Sequence, residues 1–340
     1  MRTREALVST LSLCALVAAM IVASPAIADA DLEAAAEDPV AHDAVEQRLL
    51  DLDPAHVSAR DVSEVLAQAQ APRIILLQGS FGPITMEPFA EFLIAMGYPE
   101  ERITNPRDGS RSSSSFMDSG KLAGTLAWYY EKEGTYPLLI GHSQGGMLAI
   151  RVLYELTGVF AAAIPVWNPM KDEAEPRTSI VDPWSGKLAP VVGLKLPYAA
   201  AIATGKLPRL LLGQWSMLRK LRHIPDSVAE FTGFSIEWDL IAGHFPGAEP
   251  YSATGSAAVR NVTLPSTYSH VALPETRHLA ENAVTRAWID AYVPGARVAL
   301  PDGQGVDTNN LLHAADIWYS VKKQWCLKAR RALLAKRDTK

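Results

Sequence analysis

The segment of the chain best suited to chemistry is Gly141-His142-Ser143-Gln144-Gly145. A serine with glycine two places away on either side fits a tight strand-to-helix turn, in which the serine takes strained backbone angles and flanking side chains would collide. The neighbours carry the matching patterns. Tyr136-Pro137-Leu138-Leu139-Ile140 reads as a buried strand and Gly146 to Leu156 as a helix. Such a turn lifts the Ser143 hydroxyl above the sheet edge and aims the Gln144 amide and the helix N-terminus at the place where negative charge would develop on a carbonyl oxygen. The chemistry is nucleophilic attack on a carbonyl carbon. A free serine is a poor nucleophile, so it needs a histidine to take its proton and a carboxylate to hold that histidine in the right tautomer.

Competing chemistries lack their motifs. No G-x-G-x-x-G follows a strand, G-x-x-x-x-G-K-[ST] is absent, and no H-E-x-x-H occurs, so neither a cofactor nor a metal is expected. The net charge is −5 over 340 residues, which gives no general positive field for nucleic acid.

The elements that must position Ser143 alternate. Arg73-Ile74-Ile75-Leu76-Leu77-Gln78 reads as a strand buried on both faces, Pro88 to Met96 as a helix, Arg102-Ile103-Thr104 as a short strand, and Lys121 to Lys132 as an amphipathic helix. Asp108 to Ser115 is a polar loop. Phe160 to Val166, Ile236 to Ala242 and Val262-Thr263-Leu264 read as further strands, with Leu279 to Tyr292 as a closing helix. Strands alternating with helices point to a mostly parallel central sheet flanked by helices.

The ends differ from this middle. Arg2 and Arg4, the apolar run Leu11 to Val22, and Ser24-Pro25-Ala26-Ile27-Ala28 form an export leader, residues 1–28, so a periplasmic or secreted location is expected after its removal. Its loss takes Cys14 with it and leaves Cys326 without an intramolecular partner. Residues 29–70 read as a helical lead-in and 71–305 as the α/β domain, with an apolar, proline-rich insertion at about 168–230. Residues 306–340 form a basic C-terminal helix, with eight Lys or Arg against one Asp from Lys322 to Lys340. Its tryptophans and cations suggest peripheral contact with an anionic membrane surface, or docking on the core.

From Arg73 to Tyr292 the chain resembles the α/β-hydrolase superfamily, in particular its lipase- and esterase-like serine hydrolases. The likeness rests on Leu76-Leu77-Gln78-Gly79-Ser80-Phe81-Gly82 after the first core strand, on the Gly141 to Gly145 elbow, and on a histidine-bearing loop before the last helix. It implies an α/β-hydrolase fold in which the insertion is a helical cap. It also implies hydrolysis of carboxylic esters through an acyl-enzyme, with backbone oxyanion donors at Ser80 and Gln144. Phe81 replaces Ser80 if the loop register differs, and Gln78 stands where such proteins commonly carry histidine.

The order serine, acid, histidine leaves His244, His270 and His278 as bases, with His270 preferred because it follows the last strand and a polar loop. Glu249 is the preferred acid. Asp239 is its main rival, and Asp172 and Asp182 suit an acid after an earlier strand. Cap residues such as Trp184, Leu194, Leu207, Leu210 to Leu212 and Trp215 would line an apolar pocket. The same apparatus would serve an acyltransferase or a thioesterase, and an inactive scaffold would serve a cell-surface binding protein.

Overall fold

Short apolar runs and small residues build the centre of the fold. In a computed structural model, which describes residues 39–338 apart from 206–213, 245–248 and 297–298, five parallel strands form one sheet. They are β1 (Ile74–Leu77), β2 (Leu138–His142), β7 (Leu196–Ile202), β9 (Val228–Ile236) and β11 (Ala258–Leu264), side by side in that order. The pairs β3 (Trp167–Asn168) with β4 (Glu173–Ala174), and β5 (Ser179–Val181) with β6 (Leu188–Pro190), are small antiparallel ribbons, while β8 (His223–Ile224) pairs in parallel with β10 (Ser252–Ala253). The expected leader, residues 1–28, lies outside the described residues, as do Leu207 and Leu210 to Leu212.

Alternation along the strands sends side chains to two cores. Ile74, Leu76, Leu138, Ile140, Tyr198, Ile202 and Phe234 face one way. They meet α1 (Pro39–Asp51), α2 (Ala59–Glu64), α3 (Glu87–Ala95), α6 (Arg277–Glu281), α7 (Ala283–Ala291) and α8 (Leu311–Asp338). Leu77, Leu139, Ala199, Ala201 and Phe231 face the other way, against α4 (Ser119–Glu133) and α5 (Gln144–Leu156). This is a mostly parallel α/β sandwich. Asp118 caps α4 by accepting from the Lys121 amide, and Gly134, at φ 67°, ends it in the left-handed region.

Several expected elements shift. Arg102-Ile103-Thr104 is not a strand: Glu100–Arg102 is a 3-10 turn. The polar loop finds a place by backbone pairing instead, with Ser113 exchanging hydrogen bonds with Leu76 and Gln78 along the free edge of β1. Phe160 to Val166 is irregular. No strand forms over the expected 237–242, which are turn; the preceding β9 ends at Ile236, and the closing helix is broken where Asn282 caps α7.

The helical cap expected at 168–230 is overturned for the described residues. Leu196–Ile202 is the middle strand of the sheet, fully buried, and its run of alanines makes room for α5. Residues 167–190 are ribbons held on the flank of α4, where Arg177 pairs with Glu131 and Trp128 donates to Glu175. The basic helix α8 is likewise part of the core. Trp318 and Trp325 are completely buried, Lys322 bonds the Asp290 carbonyl and Lys323 pairs with Glu230. The apolar face that would have met a membrane is spent on the sheet. No helix among the described residues is long and apolar enough to cross a membrane.

Candidate active site

All five core strands end at one edge, and the loops leaving them supply the site, as open parallel sheets favour. Ser143 directly follows β2 with φ 52° and ψ −115°, a conformation that costs a non-glycine residue on the order of 1–3 kcal/mol. Hydrogen bonds fix it there. The Ser143 amide donates to the Ile202 carbonyl at 2.7 Å, and the Ser143 carbonyl accepts from the Gly146 amide at 3.1 Å and the Thr204 hydroxyl at 2.9 Å. The glycines are sterically required. A Cβ on Gly141 would lie 2.3 Å from the Gly145 backbone, one on Gly145 2.2 Å from the Leu77 carbonyl oxygen, and one on Gly146 2.0 Å from the Thr204 hydroxyl.

His270 follows β11, and its Nε2 stands 3.0 Å from Ser143 Oγ. Its Nδ1 is 2.7 Å from Asp239 Oδ2, while Asp239 Oδ1 accepts from the Ala242 amide at 2.9 Å. Burial alone would raise the Asp239 carboxyl, but the hydrogen bond and charge of His270, with the Ala242 amide, prevail and hold it below its usual value. Because β9 ends at Ile236 rather than Ala242, Asp239 lies in the following loop and is free to turn toward His270. Glu249, the preferred acid of the sequence reading, is exposed ten residues further on, and Asp239 occupies the place assigned to it.

The segments that carry the proposed oxyanion donors lie next to Ser143. The Gln144 amide is the first of α5, where a helix has no intrahelical acceptor. Gly79 lies so close that an added Cβ would stand 3.4 Å from Ser143 Cβ, which brings the Gly79–Ser80 peptide beside the nucleophile. Ser115, buried, donates to the Gly79 carbonyl at 3.1 Å. That carbonyl and the Ser80 N–H belong to one planar unit, so Ser115 fixes the direction in which the Ser80 N–H points. The Gln78 side chain is turned to other work, accepting from Ser112.

Other candidates fall elsewhere. His278 stands 3.7 Å from Asp307, Asp172 pairs with Lys121 and Arg107, and Asp182 accepts from Tyr130 and the Ser185 hydroxyl. His142 holds a part that its position beside the serine did not reveal. It is fully enclosed, burial and then the charge of His270 lower its pKa to about 3, and its neutral ring donates from Nε2 to the His270 carbonyl at 2.8 Å. Asn310 bonds the carbonyls of Ala272 and Glu275, and His313 that of Leu273, so the start of α8 grips the loop that carries the base.

Large apolar side chains rim the site. Phe81 follows the Gly79–Ser80 turn, Trp238, Leu240 and Ile241 flank Asp239, and Val271 follows His270; all are exposed. A cavity of about 290 Å³ opens beside α5, lined by Phe116, Met117, Met147, Leu148, Arg151 and Gln214 among others. Among the described residues no three His, Cys, Asp or Glu side chains group as a metal would require. No family model, curated protein or solved structure matches the chain significantly.

Proposed function

We propose that the chain is a serine hydrolase of the α/β-hydrolase type that cleaves carboxylic esters, acting after export. The observation that carries this reading is the continuous chain Ser143 Oγ, His270, Asp239, at 3.0 and 2.7 Å, built on a serine held at φ 52°. A core serine with an ordinary structural role has no need of that backbone conformation.

In the proposed reaction Ser143 Oγ attacks the ester carbonyl carbon while His270 Nε2 takes the hydroxyl proton. Asp239 stabilises the imidazolium that forms. The carbonyl oxygen gains the negative charge and is held by the Ser80 and Gln144 amides; removing one such donor costs about 100-fold or more in rate. Collapse breaks the bond to the leaving alkoxide, which receives the proton from His270. Water, deprotonated by the same nitrogen, then releases the acid and restores Ser143. The exposed aromatic and aliphatic rim favours esters of apolar acids.

The test is labelling by a fluorophosphonate probe, with turnover of p-nitrophenyl esters of graded chain length, for the wild type, Ser143→Ala and His270→Ala. Labelling and turnover should vanish in both variants. Folded wild-type protein that neither labels nor hydrolyses any ester would refute the reading.

A further inference from the structure

Arg222 is an arginine in an unusual position. It is 3% exposed, no carboxylate pairs with it among the described residues, and its Nε and Nη1 are buried without hydrogen-bond partners. A guanidinium in such a place gives up most of its hydration, so its contacts call for an explanation. Its Nη2 donates to the Thr204 carbonyl at 3.0 Å and stands 2.8 Å from His244 Nε2, and the guanidinium lies 4.2 Å from the centre of the Tyr251 ring. Arginine can only donate, so His244 Nε2 accepts and the imidazole is neutral.

The two groups that Arg222 holds belong to the separate loops that follow the neighbouring strands β7 and β9. Thr204 leaves β7, and its hydroxyl donates to the carbonyl of Ser143 itself. His244 closes the loop after β9, and its amide donates to the Asp239 carbonyl at 2.9 Å. Those loops touch, since a Cβ on Gly205 would lie 1.7 Å from the Ala242 carbonyl oxygen, and Ala242 in turn donates to the Asp239 carboxylate. One nitrogen therefore ties the turn bearing the nucleophile to the loop bearing the acid.

We propose that Arg222 and His244 form a clamp that sets the spacing between the Ser143 turn and the Asp239 loop. They are positioning residues for the hydrolysis, and the inference rests on the serine-hydrolase reading. His244 thus has a role other than that of an alternative base. The Tyr251 ring, packed over Gly233 of β9, keeps the guanidinium in place. A displacement of about 1 Å in such a geometry can cost on the order of 100-fold in rate.

The test compares Arg222→Met, Arg222→Gly, Arg222→Lys, His244→Leu and His244→Gln with the wild type. The readouts are the rate of fluorophosphonate labelling and kcat and KM for p-nitrophenyl butyrate, on protein shown to be folded by circular dichroism. Arg222→Met and His244→Leu should lose about 30- to 100-fold in labelling rate and kcat, with KM changed less than about threefold. Millimolar guanidinium should return at least about tenfold to Arg222→Gly and nothing to Arg222→Met, whose side chain fills the space. His244→Gln, which keeps an acceptor where Nε2 stands, should stay within about fivefold of the wild type. If Arg222→Met does not fold, Arg222→Lys decides, since its single ammonium should still cost at least about tenfold. A folded Arg222 variant labelling at the wild-type rate, or a loss that guanidinium does not restore to Arg222→Gly, overturns the clamp alone. A wild type that does not label overturns the hydrolase reading and the clamp with it.

Discussion

If the chain is the serine hydrolase proposed, replacing Asp239 with asparagine should disable it by reversing the tautomer of His270. Asp239 accepts two N–H groups, from His270 Nδ1 on one oxygen and from the Ala242 amide on the other. An asparagine has one oxygen, and the Ala242 amide can only donate. With that oxygen toward Ala242, the NH₂ group faces His270 Nδ1, which must then accept and carry its proton on Nε2. The base then presents N–H to Ser143 Oγ in place of a lone pair. The opposite orientation sets the NH₂ against the Ala242 N–H and leaves a buried donor unpaired, a cost of about 1–3 kcal/mol. The working tautomer is therefore reduced to roughly one part in 5 to 150. Loss of the carboxylate charge beside the forming imidazolium adds to this, and the combined loss in triads of this geometry is about 10,000-fold in kcat. That is about 5.5 kcal/mol of barrier. The assay is kcat for p-nitrophenyl butyrate with Glu249→Gln alongside, which should stay within about twofold, as surface changes do. An Asp239→Asn enzyme that keeps more than a tenth of its kcat, or a Glu249→Gln enzyme that loses as much as Asp239→Asn, would refute the assignment.

Three further outcomes follow from the same contacts. Ser115→Ala frees the Gly79 carbonyl and with it the plane of the Ser80 amide, so kcat should fall about 10- to 100-fold with little change in melting temperature; unchanged kcat would remove Ser115 from the oxyanion site. His142 and His313 are buried neutral with pKa values lowered to about 3 and about 4, chiefly by burial, whereas the unfolded chain binds these protons below about pH 6.5. Stability from these two is complete above that pH and falls as the solution is acidified toward the folded values, by about 2 kcal/mol each at pH 5, so urea midpoints at pH 7 and 5 should differ clearly and His313→Phe should lessen the difference. Deleting Leu311 onward removes Trp318 and Trp325 from the core and should abolish folding; a folded, active truncated protein would contradict the place given to α8.

The nucleophile turn was legible because the glycines it needs sit at fixed spacing from Ser143, although what they avoid is only partly local: Gly141 would strike the Gly145 backbone, but Gly145 would strike that of Leu77 on β1. His270 was legible by its place after the last strand. The acid was not, because its identity depends on where β9 ends. Residues Ile236 to Ala242 are apolar enough to continue a strand, and only the sheet register, with Ile236 opposite Leu264, stops it three residues before Asp239. The middle strand was hidden for a related reason. Leu196–Ile202, with a proline and three alanines, has little of the β-branched character that marks strands, yet small side chains are what the approach of Gly146 on α5 demands. The tail misled through its charge: Lys322 is buried along with the tryptophans, and only cations such as Arg331, Lys336 and Arg337 keep to the exposed side of the helix.

The residues that position the reacting groups are remote in sequence from the groups they hold. Ser115 reaches back to the Gly79–Ser80 turn, Thr204 to Ser143, and Asn310 and His313 to the loop after His270. These holding residues come from three separate parts of the chain, so no short segment carries the geometry. The triad can reach its distances only when the sheet, α8 and the edge loop along β1 are all in place. Local opening of α8 should then release the loop of His270 before it disturbs Ser143, whose turn is fixed by β7 and α5. In hydrogen exchange, amides of residues 268–275 should therefore open together with α8, while the Ser143 amide, bonded to Ile202, should exchange only with the sheet. Exchange of the Ser143 amide at the rate of the His270 loop would show that the two halves of the site are held by one element rather than two.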